Sequence, residues 1–231
     1  MSGLKLVVFD CDGTLIDSQH MIVAAMGRAF EQHGLAPLPR SQVLGIVGLS
    51  LDEAIHALLP DLPDDARWSV RDAYKNAFFE LRQIPELSEP LFPGAFDTLA
   101  HLASRTDVVL GVATGKSRKG LAHALSSHGL HDFFVTLQTA DDAPSKPHPA
   151  MLLQAAQESG VAARDVILVG DTVYDVVMAK NAGATGIGVS WGYHEAAALH
   201  EAGADLVLNA FDELTPALER IWSAASAQER A

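Results

Sequence analysis

The chain has 231 residues, 48% hydrophobic and 19% charged, with a formal net charge of −13. That length suffices for one good core, or a main domain plus a small second one, and the composition is that of an ordinary globular protein. The acidic balance argues against binding nucleic-acid backbones or anionic membranes, which need a basic face. The single cysteine excludes a disulfide framework and points to a reducing, cytoplasmic setting.

The apolar run Leu6-Val7-Val8-Phe9 has the length and composition of a buried strand in a parallel sheet. Ahead of Asp10 the chain carries only Lys5 and this short run, too little for a signal peptide or a membrane span. Helical spacing follows over 20–33, through Ile22, Met26, Ala29 and Phe30, and ends at Gly34. Two short helical pieces are predicted within 41–59, around Gly45-Ile46-Val47-Gly48. A longer amphipathic helix is predicted over 64–83, with Trp68, Tyr74 and Phe78 read as its core face. No strand pattern occurs between Ile16 and Pro93.

Strand and helix alternate from there. Helices are predicted at 94–103, 117–127, 148–159, 173–181 and 213–223, and strands at 108–113, 133–137, 165–169, 184–189 and 206–208, the last as an edge. Residues 224–231 read as a frayed end. The pattern implies an α/β fold: a Rossmann-like parallel sheet with helices on both faces, interrupted by an inserted all-helical cap. The expected division is 1–16 plus 92–231 for the core and 17–91 for the cap, with hinges near 14–18 and 84–93.

Four strand ends carry polar groups. Asp10 and Asp12 close the first strand, where open α/β sheets bind ligands, although Asp and Gly also form ordinary turns. Thr114-Gly115-Lys116-Ser117 follows the second, offering a hydroxyl and backbone N–H groups to an anion; Ser117 also reads as a simple helix cap. Lys146 lies among prolines in Ser145-Lys146-Pro147-His148-Pro149, and Asp171 and Asp175 close the fourth strand four residues apart. Hard oxygen ligands of this kind suit Mg²⁺, and phosphoryl transfer needs a nucleophile, a cation to neutralise the transferring oxygens and an acid. An acidic protein repels phosphorylated substrates at long range, so the anion site must be locally positive.

In order and spacing these segments resemble the four motifs of the haloacid dehalogenase superfamily phosphatases: DxDGTLxDS from Asp10, Thr114, Lys146 before proline, and GDxxxD with Asp171 and Asp175. The insertion matches that family's small cap, and the signature is most like its phosphoglycolate phosphatases. The resemblance implies that Asp10 is the nucleophile, forming an aspartyl-phosphate, and Asp12 the general acid and then base. It implies Mg²⁺ held by Asp10, Asp171 and the backbone carbonyl of Asp12, with Asp175 positioning Lys146 or a metal-bound water. Thr114 and Gly115 would hold phosphate oxygens, with the Cys11 N–H close by, and Lys146 would neutralise the phosphoryl group. Asp12 disfavours dehalogenase and phosphonate chemistry. Ser145 departs from the glycine usual before the motif-three lysine.

The implied activity is hydrolysis of a small phosphorylated metabolite, with no nucleic-acid or membrane partner, by a monomer or homodimer. A β-phosphoglucomutase-like mutase, a pyrophosphatase or nucleotidase, and a non-enzymatic phospho-accepting signalling domain are the competing readings. Arg40 reads either as a cap residue binding a second substrate anion or as a solvated surface arginine. His123, His128 and His131 share no helix face and read as surface residues.

Overall fold

The structure is a computed structural model that describes residues 3–84 and 87–228. Six parallel strands form one sheet: β1 (Lys5–Phe9), β2 (Val108–Ala113), β3 (Phe134–Gln138), β4 (Val166–Gly170), β5 (Thr185–Val189) and β6 (Leu206–Leu208). Their order is β3-β2-β1-β4-β5-β6, so β1 is central and the connections change direction beside it. The carboxyl ends of β1 and β4 therefore flank the crevice where such sheets bind ligands.

Both faces of the sheet are covered, which is why its strands read as unbroken apolar runs. In β1, Val7 and Phe9 point into one core and Leu6 and Val8 into the other, the period-two alternation of a strand. The first core is completed by helices α5 (Ala95–Ala103), α6 (Arg118–Ser127) and α10 (Leu214–Gln228). The second is completed by α7 (Ala150–Ser159) and α8 (Val173–Ala182).

The inserted helices are α1 (Gln19–Gln32), α2 (Arg40–Leu44), α3 (Leu51–Leu58) and α4 (Asp64–Leu81). They pack on one another through clusters of their own, one around Ile22, Met26, Phe30, Ile55 and Val70 and another around Met21, Ala25, Ala77 and Leu81. The chain leaves and re-enters the sheet domain along two segments lying side by side. Asp17 N–H donates to Pro90 O at 2.8 Å, Phe92 N–H donates to Leu15 O at 2.9 Å, and Ile16 and Leu91 form an antiparallel bridge. Of the expected return hinge, residues 85 and 86 lie outside the described residues.

Several expectations are corrected. The α7 helix begins at Ala150 rather than 148, because residues 145–148 form a turn of their own, closed by His148 N–H donating to Ser145 O at 3.0 Å, and Pro149 becomes the cap. The C-terminal helix continues to Gln228, over the first part of the stretch read as frayed, anchored by Leu214, Ala217, Leu218 and Trp222, while residues 229–231 lie outside the described residues. A short helix, α9 (Ala196–Glu201), was not expected at all. Trp68 is 54% exposed rather than core. No helix among the described residues is long and apolar enough to cross a membrane.

Phe30, 2% exposed within the inserted helices, and Trp68 on their surface provide a direct comparison. Phe30→Ala is expected to lower unfolding free energy by about 3–5 kcal/mol. Trp68→Ala should cost less than about 0.5 kcal/mol. Urea denaturation of both variants checks the assignment.

Candidate active site

Each strand end supplies a side chain held by its own local structure. After β1 the chain turns tightly, with Leu15 N–H and Ile16 N–H both donating to Cys11 O. Gly13 makes the turn at φ 83°, and a Cβ there would lie 2.2 Å from Asp171 Oδ2, so only glycine fits. After β4, Thr172 caps α8: its hydroxyl accepts from Asp175 N–H at 3.3 Å while Asp175 Oδ2 accepts from Thr172 N–H at 3.1 Å. This reciprocal cap fixes the Asp175 carboxylate one turn into the helix, facing back towards the sheet edge.

Lys146 lies at the centre of the cluster, its side chain wholly buried. Its Nζ is 2.9 Å from Asp10 Oδ1 and 2.6 Å from Asp175 Oδ1. Asp10 Oδ1 also accepts from Cys11 N–H at 2.7 Å, whereas Asp10 Oδ2 is buried without a hydrogen-bond partner. Asp171 accepts from the Thr14 hydroxyl at 2.8 Å and from Tyr193 N–H at 2.9 Å. Asp10, Asp171 and Asp175 each offer one oxygen within 4.8 Å of the others'. Three buried carboxylates around one lysine leave excess negative charge, and the unpartnered Asp10 oxygen marks where a divalent cation fits.

The charges shift one another accordingly. Burial pushes the Asp10 carboxyl up to about 7; Lys146 opposes this, and the carboxylates of Asp175 and Asp12 add to it. Asp171 is raised well above the ordinary carboxylate range, by burial first and then by Asp10 and Asp175. Burial works to strip the Lys146 charge, but Asp10 and Asp175 outweigh it and hold that ammonium above its usual value.

Asp12 belongs to a different neighbourhood, although one residue separates it from Asp10. Its Oδ1 accepts from the Ser18 hydroxyl and lies 2.7 Å from Lys116 Nζ. Ser18 is held by Tyr193, whose hydroxyl accepts from Ser18 N–H at 3.0 Å. Asp10, Asp12, Thr114, Gly115 and Lys116 line one cavity of about 570 Å³, roofed by the 46–52 loop and by Tyr74, Phe78 and Phe79 of α4. The inserted layer presses closely on the sheet edge here. A Cβ on Gly115 would lie 2.3 Å from Leu49 O, and Ser50 N–H donates to the Ser145 hydroxyl at 2.8 Å.

Other expected site residues fall elsewhere. Arg40 is exposed at the start of α2, donates to Gln19 and does not line the cavity. Ser117 caps α6 by accepting from Gly120 N–H at 3.2 Å. The Cys11 thiol is buried, with burial and then the Asp12 charge pushing it well above its ordinary value. His128 is half-buried, against the surface reading, with Nε2 2.8 Å from Glu89 O. Sequence reasoning gave no role to Ser18, Lys116 or Tyr193. Ser18 and Lys116 lie within the motif stretches themselves, whereas Tyr193 lies in a loop after β5 that carries no local pattern.

A family model described as "Haloacid dehalogenase-like hydrolase" matches residues 7–189. The chain is 33% identical over 222 residues to "Probable phosphatase IndB" of Dickeya dadantii, covering 96% of each. It is 31% identical over 225 residues to a phosphoglycolate phosphatase of Yersinia pestis, covering 94% of each. A crystal structure of a hydrolase from Pseudomonas syringae superposes with a TM-score of 0.83 at 25% identity, over 94% of this chain and 99% of that one. With the motif side chains gathered at the switch point of a matching sheet, the chain belongs to the haloacid dehalogenase-like hydrolase family.

Proposed function

We propose that this protein is a Mg²⁺-dependent phosphatase that hydrolyses a small phosphomonoester through an aspartyl-phosphate on Asp10. The observation that carries the reading is the buried Lys146 bridging Asp10 and Asp175, beside an Asp10 oxygen with no hydrogen-bond partner. One Asp10 oxygen forms a bond to phosphorus as the bond from phosphorus to the leaving oxygen breaks, and the Asp12 proton passes to that oxygen. Asp12, now a carboxylate, then takes a proton from water whose oxygen attacks phosphorus. The bond between phosphorus and Asp10 breaks, giving phosphate and the free carboxylate. Thr114, Gly115 and Lys146 hold and neutralise the phosphoryl oxygens. Asp10, Asp171 and the backbone of Asp12 would hold Mg²⁺, with Asp175 chiefly positioning Lys146; when bound, the ion neutralises phosphoryl oxygens.

The 17–91 layer serves in this reading as a cap that excludes water and selects the leaving group. Lys75, Arg82, Lys116 and Lys119 among the cavity residues suit a substrate with a second anionic group. The phosphoglycolate phosphatase name of the Yersinia relative makes 2-phosphoglycolate the first candidate. The single cysteine, buried and unpaired, fits a reducing, cytoplasmic location.

Phosphate release from a panel of phosphorylated metabolites, with and without Mg²⁺, tests the reading. Wild-type turnover should require the metal, and Asp10→Asn should lower kcat by at least about a thousandfold. A variant as active as wild type would remove Asp10 from its role. A second measurement uses the pKa directions. Burial and neighbouring carboxylates raise the proton affinity of Asp10 and Asp171, so a cation competes with protons for them. Mg²⁺ affinity, measured calorimetrically between pH 5.5 and 8, should therefore rise with pH, with proton release on binding. Affinity independent of pH would contradict this assignment of ligands.

A further inference from the structure

Beside the cavity a second charged system joins the end of α4 to Asp12. Arg82, directly after α4, donates from Nε and Nη2 to Glu89 Oε2 at 3.1 and 3.0 Å. Glu89 belongs to the segment returning from the inserted helices to the sheet, and its backbone carbonyl lies 2.8 Å from His128 Nε2. Its other oxygen, Oε1, is buried with no hydrogen-bond partner and is 3.9 Å from Lys116 Nζ. Lys116 Nζ is in turn 2.7 Å from Asp12 Oδ1. Both cations lie over the Phe78 ring, Arg82 at 4.8 Å and Lys116 at 5.5 Å from its centroid. Four alternating charges thus run from the end of a cap helix to Asp12.

Glu89 does not line the cavity, whereas Arg82, Lys116 and Asp12 do. Its charge therefore reaches a bound substrate through the two cations beside it, and Lys116 is the one that touches Asp12. An ammonium has three N–H donors, and a movement of about 1 Å brings Lys116 within hydrogen-bond distance of Oε1. A buried carboxylate oxygen without a donor is costly, so Oε1 draws Lys116 away from the cavity while Asp12 draws it inward. Burial works to strip the Lys116 charge, but Asp12 and Glu89 outweigh it, so the lysine stays charged between its two seats.

We propose that Glu89 is a positioning residue: acting through Lys116, it sets where the Asp12 carboxyl is held, and Arg82 ties that setting to cap helix α4. The proposal rests on the role given to Asp12 above. Without the Glu89 charge, Lys116 loses its rear partner and is held by Asp12, or by an incoming anion, alone. Asp12 is then misplaced with respect to the leaving oxygen. The defect falls on substrates whose leaving group needs a proton, and spares those whose leaving group departs as a stable anion.

The test measures kcat and KM of the full chain with Mg²⁺ on two esters: p-nitrophenyl phosphate, which departs as a phenolate, and the alkyl phosphate turned over fastest in the panel above. Glu89→Gln should lower kcat on the alkyl ester by about tenfold or more beyond its effect on the aryl ester. KM on the alkyl ester should shift little, and Glu89→Asp should recover part of the loss. Lys116→Gln should show the same selectivity, and it decides the matter if Glu89→Gln does not fold. Equal losses on both esters would assign Glu89 a purely structural role and overturn the proposal, as would no loss on either. Should wild type release phosphate from neither ester, the phosphatase reading fails and takes this proposal with it. Failure of this proposal alone is recognised by an active wild type with unselective variants.

Discussion

An ammonium with no exposed side-chain surface is tolerable only between groups of opposite charge, and the site is arranged around that constraint at Lys146. Asp10 reaches the lysine from the end of β1 and Asp175 from the first turn of α8, while Lys146 itself comes from the loop before α7. Each partner needs support of its own. Asp175 has it from the Thr172 cap, and Asp10 from the Cys11 N–H. The parallel sheet matters to function chiefly because it sets these three chain segments side by side at one edge.

The two aspartates of the first loop have different surroundings because the chain turns directly after β1, with Leu15 and Ile16 N–H both bonded to Cys11 O. Asp10 is sealed against Lys146 among the other carboxylates, and its proton affinity is high. Asp12 turns the other way, to Ser18 and Lys116, where it borders the cavity. The aromatic residues of α4 and the loop around Leu49 close the remaining side, with Lys75 and Arg82 set among them.

The sheet and its four polar ends were legible because both signals are local. Buried parallel strands are uninterrupted apolar runs, and the residues that stop them, such as Asp10 and Asp171, interrupt them sharply. The orientation of an amphipathic helix is not local. The pattern over 64–83 shows that one face is buried, yet packing of α4 against α1 leaves Trp68 in solvent and turns Tyr74 and Phe78 towards the cavity. Glu89 and Tyr193 were equally unreadable, since each lies against a residue far along the chain and carries no spacing that announces it. Helix α9 was missed for a simpler reason: only Leu199 is buried within it, so it has no periodicity to detect.

The pairing of Ile16 with Leu91 has a consequence for how the family can vary. The two segments that join cap to core are pinned next to each other by hydrogen bonds from Asp17 and Phe92. To the sheet, everything between them is a closed loop whose ends are already fixed. Doubling the length of such a loop costs only about 0.6 kcal/mol of closure entropy. The helical layer over the cavity can therefore be lengthened, shortened or rebuilt while the aspartates and the lysine beneath it keep their places.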